Sequence, residues 1–143
     1  MKFFAAAIAL AAAAVANAQP TWTNCASGSD LTVTSMTLDP YPLCVGENVC
    51  ATIVGTLSAP VTSPSTLTVI GTYFGVTVYS QSIDLCTVVS CPVAQSTTTL
   101  EVCIPVLSTA PAGIAVDLTI SATNGNGNTL LCQSASGVTA ANC

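Results

Sequence analysis

The chain has 143 residues, a single basic side chain (Lys2), six acidic ones and no histidine, for a net charge of −5. With no cation beyond Lys2 it cannot replace the counterions of a phosphate backbone, which excludes nucleic acid as a partner, and an electrostatic grip on an anionic membrane is excluded on the same ground. A mean hydropathy of +0.73 with only 5% charged residues means that much apolar surface faces inward or that some is exposed for use.

Met1-Lys2-Phe3-Phe4, a run of alanine and aliphatic residues, and Ala16-Asn17-Ala18 read as a secretory signal peptide over residues 1–18, cut before Gln19. The apolar run is shorter than the ~20 residues of a membrane span. Residues 19–143 are then one domain. The eight cysteines are Cys25, Cys44, Cys50, Cys86, Cys91, Cys103, Cys132 and Cys143, an even number that reads as a disulfide framework in an exported chain. Zinc is the alternative, but the lack of histidine and the oxidising route speak against it; no metal and no cofactor are expected.

In chain order, Gln19 to Cys25 leads through a polar turn into a first strand over 31–38, which stops at Asp39-Pro40-Tyr41-Pro42. Cys44 and Cys50 bound a short turn. Val49, Ala51, Ile53 and Leu57 alternate with Thr52 and Thr56, the pattern of a strand with one apolar face. After a loop at Ala59-Pro60 to Ser63-Pro64, Leu67, Val69 and Tyr73 carry the apolar side. At Gly75 the parity breaks, because Val76 and Val78 now take that side. Side chains alternate strictly in a strand, so the break marks a turn or bulge, with Phe74-Gly75 the expected hairpin tip. Cys86 and Cys91, with Pro92 directly after, describe a small closed loop if they pair, worth only about 2 kcal/mol in chain entropy. Its role would be geometric, fixing how one extended segment hands over to the next. Strands are expected over 97–106 and from Ile114 through Ser121, separated by the Pro111-Ala112-Gly113 turn. Asn124-Gly125-Asn126-Gly127-Asn128 is a hairpin turn. A last strand spans 129–134, and a small-residue tail runs to Cys143. Regularly spaced short strands without an amphipathic helix give an all-β fold, a β-sandwich of about seven strands.

Several pieces in this order resemble the ML domain (MD-2-related lipid-recognition) family, which includes the Niemann-Pick type C2 protein and fungal phosphatidylglycerol/phosphatidylinositol transfer proteins. They are Asn24-Cys25, the 31–38 strand ending at Pro40, Asp84-Leu85-Cys86 with Ser90-Cys91-Pro92-Val93, Ile104-Pro105-Val106, Pro111-Ala112-Gly113 and Leu130-Leu131-Cys132. The resemblance implies an immunoglobulin-like sandwich of antiparallel strands whose two sheets are splayed enough to hold a lipid's apolar part. It also implies the pairs Cys25–Cys132, Cys44–Cys50 and Cys86–Cys91, which leaves Cys103 with Cys143 as the expected fourth. The chain departs from many relatives in having no lysine to hold a phosphate headgroup, and its aromatics after residue 18 are only Trp22, Tyr41, Tyr73, Phe74 and Tyr79.

A cavity lined by aliphatic side chains matches a bilayer interior, at ~0.8 kcal/mol per buried CH₂ on either side, so that exchange is near neutral. The lining candidates are Ile53, Leu57, Leu67, Val69, Tyr73, Val76, Val78, Leu100, Val102, Ile104, Ile114, Val116, Leu118 and Ile120; in any sandwich such residues could instead simply form a close-packed core. Phe74, Pro105 and Leu107 are candidates for a pocket mouth. The expected function is a secreted or lumenal lipid-binding or transfer protein, a monomer that takes a sterol or phospholipid and makes transient contact with a membrane or a membrane receptor. Its acidic surface leans toward a sterol or a lipid without net negative charge. Catalysis is not expected, since without His, Lys or Arg a serine nucleophile has no familiar general base and an oxyanion no cation. The alternative is a secreted, disulfide-rich structural or recognition protein with a solid core.

Overall fold

A computed structural model describes residues 18–143; the signal peptide expected over 1–18 lies almost wholly outside the described residues. The strands are β1 (Thr23–Asn24), β2 (Leu31–Asp39), β3 (Leu43–Cys44), β4 (Asn48–Leu57), β5 (Thr66–Tyr73), β6 (Val76–Asp84), β7 (Thr99–Pro105), β8 (Ala115–Thr123) and β9 (Thr129–Ala141). They form two sheets, β1-β9-β8-β5-β6 with β3 added beside β9, and β2-β4-β7. All pairings are antiparallel except β3 with β9. This is the expected immunoglobulin-like sandwich: seven substantial strands plus two short edge pieces.

The apolar alternation predicts the strands because each sheet buries one face only. Val49, Ala51 and Ile53 on β4 pair with Ile104, Val102 and Leu100 on β7, and all six face the other sheet. Opposite them stand Leu67 and Val69 of β5 and Leu118 and Ile120 of β8. Two departures from the expected course bear on the site. The tail after residue 134 is strand, not loose chain: β9 continues to Ala141 along β8 and β3, and buries Val138 and Ala140. Its small residues have little intrinsic strand preference, so pairing on both sides overrides propensity. The parity break in the β5–β6 hairpin comes from two features. Phe74 and Gly75 form the tip, both at positive φ (49° and 78°), and a bulge leaves Val78 unpaired between Tyr79↔Gly71 and Thr77↔Thr72.

Four disulfides use all eight cysteines: Cys25–Cys132, Cys44–Cys143, Cys50–Cys103 and Cys86–Cys91. Two of the expected pairs hold. The other two, Cys44–Cys50 and Cys103–Cys143, are corrected by strand register. Cys50 lies directly opposite Cys103 in the β4–β7 ladder, with Cα atoms 4.0 Å apart. Cys44, paired beside Ala141 in β3–β9, is brought next to Cys143.

The placement of the bridges matters more than their number. Cys25–Cys132 ties the start of the chain to β9, and Cys44–Cys143 ties β3 to the end of β9, both on the larger sheet. Cys50–Cys103 lies within the smaller sheet. Cys86–Cys91 closes the loop that carries the chain from β6 in one sheet toward β7 in the other, over a 3₁₀ turn at Leu85–Thr87 capped by the Asp84 side chain, which accepts from the Cys86 N–H. No disulfide spans the gap from one sheet face to the other.

Candidate functional site

Between the sheets lies a cavity of about 90 Å³. Its floor is at the clasp end, where Leu85, Ala122 and Leu131 are buried beside Val61, Val93 and Leu130. Its walls come from Met36 and Leu38 of β2, the inward rows of β4 and β7, Leu67 and Val69 of β5, Val116, Leu118, Ile120 and Ala122 of β8, and Leu131 and Val138 to Ala140 on β9. At the opposite end the lining passes to Tyr79, Pro105, Val106, Ala110 and Pro111, and Pro105 is the exposed member of the lining. That end, where β5 turns into β6 and β8 begins, is the mouth.

Of the expected lining residues, Ile53, Leu67, Val69, Leu100, Val102, Ile104, Val116, Leu118 and Ile120 do border the cavity. Leu57, Tyr73, Val76, Val78 and Ile114 do not. Leu57 pairs with Leu31 past the closed end, and Ile114 precedes β8 in a bend. Tyr73 and Val76 flank the hairpin tip outside the gap. Val78 is removed by the bulge, which turns the other parity of β6 inward, so Tyr79 and Gln81 line the cavity instead. Among the expected mouth residues Pro105 is placed at the rim, while Phe74 and Leu107 stand outside it. Met36, Leu38, Leu43 and the β9 residues were not anticipated; the alternation Leu131, Gln133, Ala135 and then Val138, Ala140 was the available signal, hidden by the small residues between.

Tyr79 and Gln81 bring polar atoms into this wall, and they satisfy one another. The Tyr79 hydroxyl donates to Gln81 Oε1 at 2.7 Å, Gln81 Nε2 donates to the Pro105 carbonyl at 3.1 Å, and the Leu107 N–H donates to the Tyr79 hydroxyl at 3.2 Å. β6 belongs to one sheet and Pro105 ends a strand of the other, so this network is a hydrogen-bonded latch across the mouth. Burial pushes the Tyr79 phenol above its ordinary value, opposed by the Leu107 N–H. Trp22, the single tryptophan of the chain, packs against all three clusters of the core.

At the closed end a separate polar cluster holds the β8–β9 turn. The buried Asp30 carboxylate accepts from Asn124 Nδ2 at 2.9 Å, Asn126 Nδ2 at 2.9 Å and Asn128 Nδ2 at 3.3 Å. These amides, that of Asn124 foremost, hold Asp30 below the usual carboxylate range against the opposing effect of burial. Both carboxylate oxygens accept from donors of the chain itself, so the cluster is a fastening. The acids Asp84 and Asp117 are on separate strands, β6 and β8, and neither borders the apolar cavity.

The family model for the ML domain matches residues 19–136. The chain belongs to the ML domain family. No curated protein matches it in sequence. Among solved structures, this ML domain is similar to a Niemann-Pick type C2 protein from Japanese carpenter ant, with 14% identity, a TM-score of 0.59, and 81% of this chain aligned to 96% of that one. It is similar also to chicken MD-1, solved in complex with lipid IVa, with 15% identity, a TM-score of 0.58, and 82% of this chain aligned to 87% of that one. At these identities the likeness is one of fold.

Proposed function

We propose that this ML domain is a secreted or lumenal carrier that takes the apolar part of a lipid between its sheets. The observation that carries the reading is a gap walled almost wholly by aliphatic side chains, closed at the clasp end and bounded at the other by the exposed Pro105 and the Tyr79–Gln81 latch. Lipid IVa in the complex of the similar chicken MD-1 supports it. Four disulfides support an oxidising compartment, with residues 1–18 as the export signal. The guest is a sterol or a lipid without net negative charge, because no cation after Lys2 can pair with an anionic headgroup.

The gap is about 90 Å³, against roughly 300–1,000 Å³ for a site enclosing a drug-sized molecule. Loading therefore needs the sheets to part. That movement breaks no covalent bond, since no bridge joins the two faces. It opens the latch at Pro105 and Leu107, and the guest then covers the apolar rows that parting exposes. The same small volume favours a second reading, a solid-core structural or recognition protein that never opens.

Titrating delipidated protein with a fluorescent sterol, and following energy transfer from Trp22, separates the two. The carrier gives saturable transfer near one sterol per chain, and Leu118→Trp, which fills the gap, abolishes it while the fold is kept. Absence of binding across sterols and neutral and zwitterionic phospholipids would leave the solid-core protein.

A further inference from the structure

Asparagine is followed by glycine twice in the chain, at Asn124-Gly125 and Asn126-Gly127, both in the β8–β9 turn. Such a pair carries its own chemistry. With no Cβ on the glycine, its backbone nitrogen can reach the asparagine side-chain carbon and close a cyclic imide. The fold treats the two pairs differently. Asn124 is 3% exposed and both ends of its amide are held. Its Nδ2 donates to Asp30 Oδ2 at 2.9 Å and to the Pro60 carbonyl at 3.0 Å, while its Oδ1 accepts from the Thr62 and Gly125 N–H groups at 2.9 and 2.8 Å. The Gly125 N–H also donates to the Thr62 carbonyl at 3.1 Å, so nitrogen and target are both fixed. Asn126 is exposed. Its Nδ2 donates to Asp30 Oδ2 at 2.9 Å and its Oδ1 accepts the Asn128 N–H at 2.9 Å. The Gly127 N–H holds only the Asn124 carbonyl, at 3.0 Å, and open space surrounds Gly127 at φ 88°. Opening these few bonds at the surface brings nitrogen and target together.

We infer that Asn126 is a site of spontaneous deamidation, and that the carboxylate it leaves unfastens the closed end of the sandwich. The Gly127 nitrogen gives up its proton and bonds to Asn126 Cγ; the Cγ–Nδ2 bond breaks, and Nδ2 departs with that proton as ammonia. Water then opens the imide at one of its C–N bonds, leaving aspartate or its backbone-extended isomer. Either product sets a carboxylate where an amide donated to Asp30. The buried acceptor loses a donor, and two ionised carboxylates at that distance repel. Asp30 also donates its backbone N–H to the Thr129 carbonyl at 2.9 Å, and it adjoins Leu31 as Thr129 adjoins Leu130, both in the core. The disturbance therefore reaches the cavity floor. No reagent but water is needed, and the chemistry is indifferent to whether the gap takes a guest.

The test is storage of the oxidised, folded protein in mildly alkaline buffer beside reduced protein unfolded in guanidinium, followed by peptide mass mapping. In the folded protein Asn126 should gain the mass of an amide-to-acid exchange, in aspartate and isoaspartate forms, while Asn124 stays intact; in the unfolded chain both convert. Asn126→Asp should lower Tm and speed amide exchange at Leu130 and Leu131 about tenfold. Asn126→Ser, which removes the donor without adding charge, should lie between it and wild type. Asp30→Asn/Asn126→Asp, which again sets a carboxylate against an amide, should recover part of the loss. The inference is overturned by an Asn126 that stays intact in the folded protein while the unfolded chain converts, or by conversion of Asn124 first. It is equally overturned by an Asn126→Asp protein as stable as wild type, or by a double variant no more stable than Asn126→Asp.

Discussion

Among the described residues, Asp30 and Tyr79 are those whose protonation the fold alters, and they act at opposite ends of the pH scale. Asp30 is held below its usual value by the Asn124, Asn126 and Asn128 amides. A depressed carboxylate contributes stability that is present above the unfolded pKa, near 3.9, and is lost as pH falls through the folded value. Tyr79 is raised by burial. Its contribution is complete below the unfolded value, near 10, and is lost as pH rises through the folded one. The chain has no histidine, and no lysine or arginine after Lys2. Chemical denaturation should give a stability that is level from about pH 5 to 9, falls below about pH 4 and falls again above about pH 10. Asp30→Asn should lower the plateau and flatten the acid limb; an unchanged acid limb would remove Asp30 as its cause.

At the scale of the element, the strands were legible because one-faced burial writes itself as alternation, and β4, β5, β7 and β8 follow it. What escaped depends on events that alternation does not encode. The bulge at Val78 exchanges Val76 and Val78 for Tyr79 and Gln81 on the inner face. The extension of β9 comes from its neighbours, not from its own alanines and serines. The cysteine pairing was partly readable: once Val49, Ala51 and Ile53 face inward, Cys50 faces outward, as does Cys103 between Val102 and Ile104. Two consequences can be measured. Mass mapping of unreduced peptides should recover Cys44–Cys143 and Cys50–Cys103. The double variant Cys44→Ser/Cys143→Ser should cost about 2–5 kcal/mol, with faster hydrogen exchange over 138–141. Gly55 has a different constraint: it lies where β2 bulges between Val33 and Ser35, and a Cβ there would run into the Thr32 carbonyl and meet Leu31 Cδ1 at 3.2 Å. Gly55→Ala should destabilise by about 1–3 kcal/mol, read from the urea midpoint.

For the whole molecule, the sandwich could be read from the sequence, whereas the width of the gap could not. Identical apolar rows serve a packed core or a pocket, and the spacing of two sheets is decided by side-chain fit across them. The closed gap makes a thermodynamic prediction. A guest that binds the folded form alone at a hundred times its Kd should add about 2.7 kcal/mol, raising Tm by roughly 5–15 °C. It should also protect amides of β6 and β7 near the latch less than those of the cavity floor. A scan with no shift for any sterol or phospholipid counts against the carrier.

The arrangement of bridges has one more consequence. Each layer is stapled to itself and none is riveted to the other, so no covalent bond sets the width of the opening. Selectivity should then be graded by how well a tail refills the space between the leaves. Affinity would climb with chain length until the guest outgrows the leaves, and a range of greasy molecules would be tolerated where a rigid box would accept one.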